Sequence, residues 1–77
     1  MIAILLSSKD FRTRDIYIDY PFESAKFRWD KATELVYRRF YGKEEVEIPH
    51  SSDLFNQAIS AGKEITREEY YRDETVS

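Results

Sequence analysis

The run Pro49-His50-Ser51-Ser52-Asp53 holds the residue types of a nucleophile, its base and an orienting carboxylate. A hydrolytic triad sets those groups opposite one another in space, with the serine on a strained, exposed turn. Side chains adjacent along five residues, just ahead of an apolar periodic segment, instead serve as helix caps. Glu47, His50 and Asp53 are the nearest approach to a metal-ligand set, but the chain has one histidine and no cysteine. Zinc sites without cysteine generally use more than one imidazole. Two isolated glycines, Gly42 and Gly62, build no phosphate cradle. The carboxylate pairs Glu44/Glu45 and Glu68/Glu69 are chain neighbours that point in different directions, as on a solvated face. The residues therefore predict no catalytic group, no metal and no cofactor.

Binding chemistry is better represented. Arg28, Trp29, Tyr37, Arg38, Arg39 and Tyr41 interleave cations with aromatic rings. Single-strand binders use such a mixture to neutralise phosphates and stack bases. The competing reading makes the rings core and lets the arginine stems cover them. Net charge is −3, and no RNP, KH or GxxG signature is present, so nucleic acid is the less favoured ligand. Residues 1–43 carry nine Lys/Arg against six Asp/Glu, and residues 44–77 carry three against nine. A chain divided this way can present faces of opposite sign. Glu68, Glu69, Asp73 and Glu74 gather on and just beyond the last helical segment, and Asp73 and Glu74 oppose the negative end of that helix. These four, with Arg38, Arg39 and Tyr41, are the candidate partner-binding residues. The acidic set would suit a partner with a basic groove.

The elements that must position these residues follow from periodicity. At 77 residues the chain is read as one domain, residues 1–77, with 74–77 frayed. Twelve aromatics compensate for the small core of so short a chain. Residues 2–6 are a continuous apolar run, read as a buried strand. Ser7 to Thr13 reads as a connection. Residues 15–20 alternate Asp15, Tyr17 and Asp19 with Ile16, Ile18 and Tyr20, a half-buried strand that Pro21 ends. With so short a connection, strands 2–6 and 15–20 are expected to pair antiparallel.

Residues 22–41 admit two readings. Phe22, Ala25, Trp29, Ala32, Val36 and Phe40 fall on one stripe at 100° per residue, which favours a long amphipathic helix. Strand-rich composition on either side of residues 30–34 suits a β-hairpin, but no Gly or Asn marks a tight turn there. Glu45 to Ile48 alternates as a short strand. Ser51 or Ser52 caps a helix over 52–61, and Gly62 is expected to stop it in a left-handed conformation. Thr66 and Glu69 form a capping box for a helix over 67–73. Those two helices are expected to form a hairpin. Its second member would be repelled from DNA, since Arg67 and Arg72 are outnumbered by four carboxylates.

The fold class is thus α+β. The opening apolar run is about half a secretory h-region, and nothing approaches the roughly 20 apolar residues of a membrane span. A soluble cytoplasmic protein with no membrane partner is expected. In size and composition alone the chain resembles phage and mobile-element accessory proteins that block a larger host complex. The function expected is a non-enzymatic protein-binding module, a regulator or inhibitor of a larger protein or nucleoprotein complex. The alternatives are single-stranded nucleic-acid binding through 28–43 and a structural subunit that self-associates as a homodimer.

Overall fold

A computed structural model describes residues 6–72. Its centre is a five-stranded antiparallel sheet with strand order β4-β3-β2-β1-β5. The strands are β1 (Ile16–Tyr20), β2 (Ala25–Asp30), β3 (Leu35–Phe40), β4 (Val46–Ile48) and β5 (Lys63–Ile65). The helices are α1 (Ser8–Thr13), α2 (Asp53–Ala61) and α3 (Arg67–Tyr71). The expected α+β class holds. Among the described residues no helix is long and apolar enough to cross a membrane.

The ambiguous segment is the hairpin β2–β3. Its register pairs Ala25 with Phe40 and Trp29 with Val36. Those four residues also make the helical stripe, because positions mirrored about a turn can share a 100° periodicity by coincidence. Asp30 supplies the turn chemistry that Gly or Asn would have given. Its Oδ1 accepts from the amides of Ala32 at 3.0 Å and Thr33 at 3.4 Å. Glu34 takes the left-handed conformation at φ 60° and donates its amide to the Asp30 carbonyl at 2.7 Å. An Asx turn of this kind closes a four-residue loop without a two-residue Asn-Gly corner. Gly42, at φ +73°, ends the segment.

Other expectations change too. Ser7 to Thr13 is a helix start rather than a connection, since Asp10 accepts from the Ser7 amide at 2.8 Å and closes a capping box. That bond holds the Asp10 carboxyl below its ordinary range. The expected strand 2–6 lies outside the described residues but for Leu6. Both sides of β1 are taken over 17–19, by β2 and β5, which corrects its expected pairing with 2–6.

The C-terminal helices both form and both caps are present, Ser52 accepting from the Phe55 amide and Thr66 from that of Glu69. They do not make a hairpin, because β5 intervenes as an edge strand against β1. Gly62 is extended, at φ −81° and ψ −166°, rather than left-handed. Its missing side chain serves close approach. A Cβ would lie 2.7 Å from the Ala58 carbonyl and 2.8 Å from both the Asp19 carbonyl and Ile18 Cγ2.

Alternation then sorts side chains into two faces. On one, Ile16, Ile18, Tyr20, Ala25, Phe27, Val36 and Ile48 pack with Phe55 and Ala58 of α2. Phe11 of α1 closes this core edge-on to Trp29 and Phe55. The opposite face carries Tyr17, Asp19, Lys26, Arg28, Tyr37 and Arg39, and α3 lies over it through Tyr70.

Candidate functional site

The α3 face concentrates charge in the interior. Lys26 and Arg39 are directly opposed in the β2–β3 register. Like charges so placed repel unless acceptors surround them. The last turn of α3 supplies acceptors. Lys26 is 1% exposed, and its Nζ donates to the carbonyls of Glu69 at 2.6 Å and Arg72 at 3.2 Å. Arg39 Nη1 donates to the carbonyls of Tyr70 at 3.3 Å and Arg72 at 3.4 Å. The strand cations therefore cap the negative end of the helix that covers them.

Beside them, Arg28 makes a two-pronged bond to Glu45, at 3.1 Å from Nε and 2.8 Å from Nη2. The buried Tyr70 hydroxyl donates to the same carboxylate at 2.8 Å. Each group alters its partners' proton affinity. The bond to Glu45 raises the Arg28 pKa. Burial, then the bond to Glu45, pushes the Tyr70 phenol far above its ordinary value. Burial pushes the Glu45 carboxyl up, but the bonds from Arg28 and Tyr70 outweigh it and hold the group low. Tyr41 completes this face by donating to Asp19 Oδ1 at 2.5 Å.

The seven residues expected to meet a partner do not form one site. Arg39 and Tyr41 belong to the network just described. Glu69 is engaged in its capping box, accepting from the Thr66 amide at 2.9 Å, which lowers its pKa. Glu68 is exposed at the start of α3. Asp73 and Glu74 lie outside the described residues. Arg38 projects from the other face, since it is opposed by Phe27 and Val46. The nucleic-acid reading needs Arg28, Trp29, Tyr37, Arg38, Arg39 and Tyr41 on a common surface, and the strand alternation sets Trp29 and Arg38 on the opposite side from the others.

The α2 face, by contrast, is incompletely covered. Its side chains stand in three cross-strand rows: Ile16-Trp29-Val36-Ile48, Ile18-Phe27-Arg38-Val46 and Tyr20-Ala25-Phe40. α1 and α2 close the first row. α2 is only nine residues long and lies against β1. The second row is therefore open at Arg38 and Val46, and the third at Phe40. Phe22, in the 3-10 turn after β1, packs with its ring 5.8 Å from that of Tyr20 and lines a pocket with Pro21, Ala61, Gly62 and Lys63. Phe22 is 72% exposed, Val46 46% and Phe40 38%. Sequence reasoning placed Phe22 and Phe40 on the buried stripe of a helix. Pro21, read as the end of the strand 15–20, opens a 3-10 turn that takes Phe22 outside either strand.

Arg38 is the one cation in this opening. Its guanidinium carbon sits 4.5 Å from the Phe40 ring centre. Its Nε is buried with no acceptor, and no carboxylate among the described residues forms an ion pair with it. Stacking on the ring holds the planar fork in place while leaving it without an anion.

His50 takes no part in a triad. Its Nε2 lies 2.6 Å from the Glu34 carbonyl, so that nitrogen carries the hydrogen, and its ring packs 5.5 Å from Trp29. Ser52 is occupied as a cap. A cleft of about 540 Å³ beside them is lined by Ser8, Phe11, Arg12, Trp29, Lys31, Glu34 and His50, and the His50 Nε2 in it is engaged by the Glu34 carbonyl rather than by the Ser8 hydroxyl. Among the described residues no group of three or more His, Asp or Glu could hold a metal ion.

A small α+β protein with one sealed charged face and one open aromatic end has the architecture of a binding protein. The chain belongs to the Tis1 immunity protein family, which matches residues 4–74. It is 52% identical over 62 residues to the immune protein Tis1 of Pseudomonas aeruginosa (strain UCBPP-PA14), covering 78% of this chain and 80% of that one. It is also similar to a chain in the crystal structure of the complex between the type VI effector Tas1 and its immunity protein. That likeness has a TM-score of 0.81 and 46% identity, and covers 84% of this chain and 88% of the other. An immunity protein is a protein-binding inhibitor, so the coarse functional expectation holds. The phage or mobile-element kinship suggested by size and composition gives way to this family.

Proposed function

We propose that this chain is an immunity protein that neutralises a type VI effector of the Tas1 kind by binding it, with no chemistry of its own. The observation that carries the reading is its likeness, at 46% identity and TM-score 0.81, to a chain of the complex between such an effector and its immunity protein. At that identity and TM-score the two chains share a fold. Inhibition by occlusion needs shape and anchors rather than a nucleophile, which accords with the caps and core contacts that occupy Ser52 and His50.

Two experiments test this. Purified chain and Tas1 are expected to migrate as a complex on gel filtration, and co-expression is expected to protect cells from the effector. Absence of both a complex and protection overturns the reading. His50→Ala is expected to protect as well as the native chain. Loss of protection by a fully folded His50→Ala variant would reinstate a chemical role.

A further inference from the structure

We propose that the open end of the sheet, formed by Phe40, Val46 and Arg38, is the surface that docks the protein partner, and that the partner presents an apolar side chain beside a carboxylate. This rests on the effector-binding reading and names the surface that serves it.

Two observations converge. Among the described residues the exposed large hydrophobic side chains are Phe22, Phe40, Val46 and Tyr71, and two of them, Phe40 and Val46, flank Arg38 on this face. Arg38 itself is stacked on Phe40, and among the described residues it has no anionic partner and its Nε has no acceptor. Interface cores are built from such aromatic and arginine anchors, ringed by polar groups. A stacked guanidinium is pre-ordered for a carboxylate, since its planar fork matches the two oxygens.

The chemistry also selects among occupants. One cation beside two apolar side chains is a poor phosphate-tracking surface, which needs several. A second copy of the chain would place the same cation on both sides of a two-fold contact. A protein surface with an apolar protrusion and an adjacent acid satisfies both features.

The test compares full-length variants against purified Tas1 by titration calorimetry, with circular dichroism and sedimentation on each. Phe40→Glu and Arg38→Glu are each expected to weaken binding at least about tenfold, as loss of an anchor does. Val46→Ser follows them and guards against misfolding, since its side chain is half in solvent. Arg38→Lys keeps the charge but loses the fork, and is expected to fall between native and Arg38→Glu. Native affinity in folded Phe40→Glu, Val46→Ser and Arg38→Glu overturns the surface while leaving the functional reading intact. A native chain that does not bind Tas1 at all overturns both. A native dimer that Phe40→Glu separates, with Tas1 affinity unchanged, assigns the opening to self-association and overturns the proposal.

Discussion

Arg28 and Arg38 sit on the same β-hairpin, and each lies over an aromatic ring, Tyr37 at 4.1 Å and Phe40 at 4.5 Å. Their surroundings differ in every other respect. Arg28 grips Glu45 with two nitrogens, and Tyr70 seals the carboxylate from behind. Arg38 has a buried Nε with no acceptor and no ion-pair partner among the described residues. The difference is one of face rather than of residue type. Side chains of opposite parity point to opposite sides of the sheet, so the arginines divide between a face with α3 over it and an end that α2 is too short to reach. Basic residues clustered in sequence thus become an internal clamp on one side and a presented anchor on the other.

The contrast predicts that the α3 face governs stability and the open end governs binding. The largest effect should come from Tyr70→Ala, which empties a fully buried aromatic site and removes a donor to Glu45. Such truncations cost roughly 3–5 kcal/mol, a large share of the total in a domain this small. Denaturant unfolding should show that loss, while any remaining folded protein should bind Tas1 normally. A stable Tyr70→Ala variant would mean that α3 is not a structural cover.

Lys26→Met comes next. It keeps the stem and removes the donors to the Glu69 and Arg72 carbonyls. A buried acceptor left without its partner costs about 1–3 kcal/mol. Amide exchange should quicken first at the C-terminal end of α3, because the lost bonds act there. Uniform exchange across the molecule would deny the clamp a local role.

A smaller effect is expected from pH. Glu45 has a depressed pKa in the fold, so the stability it contributes is complete above its ordinary value of about 4.5 and is lost as pH falls through the folded value. Tyr70 has a raised pKa, so its share is present below the ordinary phenol value of about 10 and declines as pH rises beyond it. The melting midpoint should therefore fall at both ends, and Glu45→Gln should flatten the acid limb. An acid limb unchanged in Glu45→Gln would place the critical carboxylate elsewhere.

The same two faces show how much was legible beforehand. β1, β4, α2, α3 and both C-terminal caps follow from local patterns, because alternation, Ser52 and the Thr66/Glu69 box act within a few residues of chain. The joint between α2 and α3 does not. Gly62 signals an end, but whether it turns left-handed or lets a strand in close depends on Asp19 and Ile18, more than forty residues earlier. The β2–β3 hairpin was masked because Ala25, Trp29, Val36 and Phe40 fit both periods, and Asp30 performs the turn with a side chain. Of the candidate partner residues, Arg38 is the one in the proposed surface. Arg39 and Tyr41 share its composition but not its parity, and no property of a single position separates them until the register is known.

The smallest expected effect sharpens the contrast from the other side. Glu68 is exposed on α3, and Arg67 beside it leans towards Tyr71, 5.5 Å from that ring. Unlike Glu69 it takes no part in the capping box, so its charge can be reversed without opening the helix start. Glu68→Lys loses a favourable contact with the positive end of a short helix, and an exposed charge is worth under about 1 kcal/mol. If the open end is the docking surface, Tas1 should associate with Glu68→Lys at nearly the native rate, with an unaltered salt dependence. An acidic α3 that steered a basic partner would give the opposite result, since rim charges act chiefly on the association rate and its sensitivity to salt. A markedly slower, less salt-sensitive association would move the interface to α3 and reverse the division of labour between the two faces.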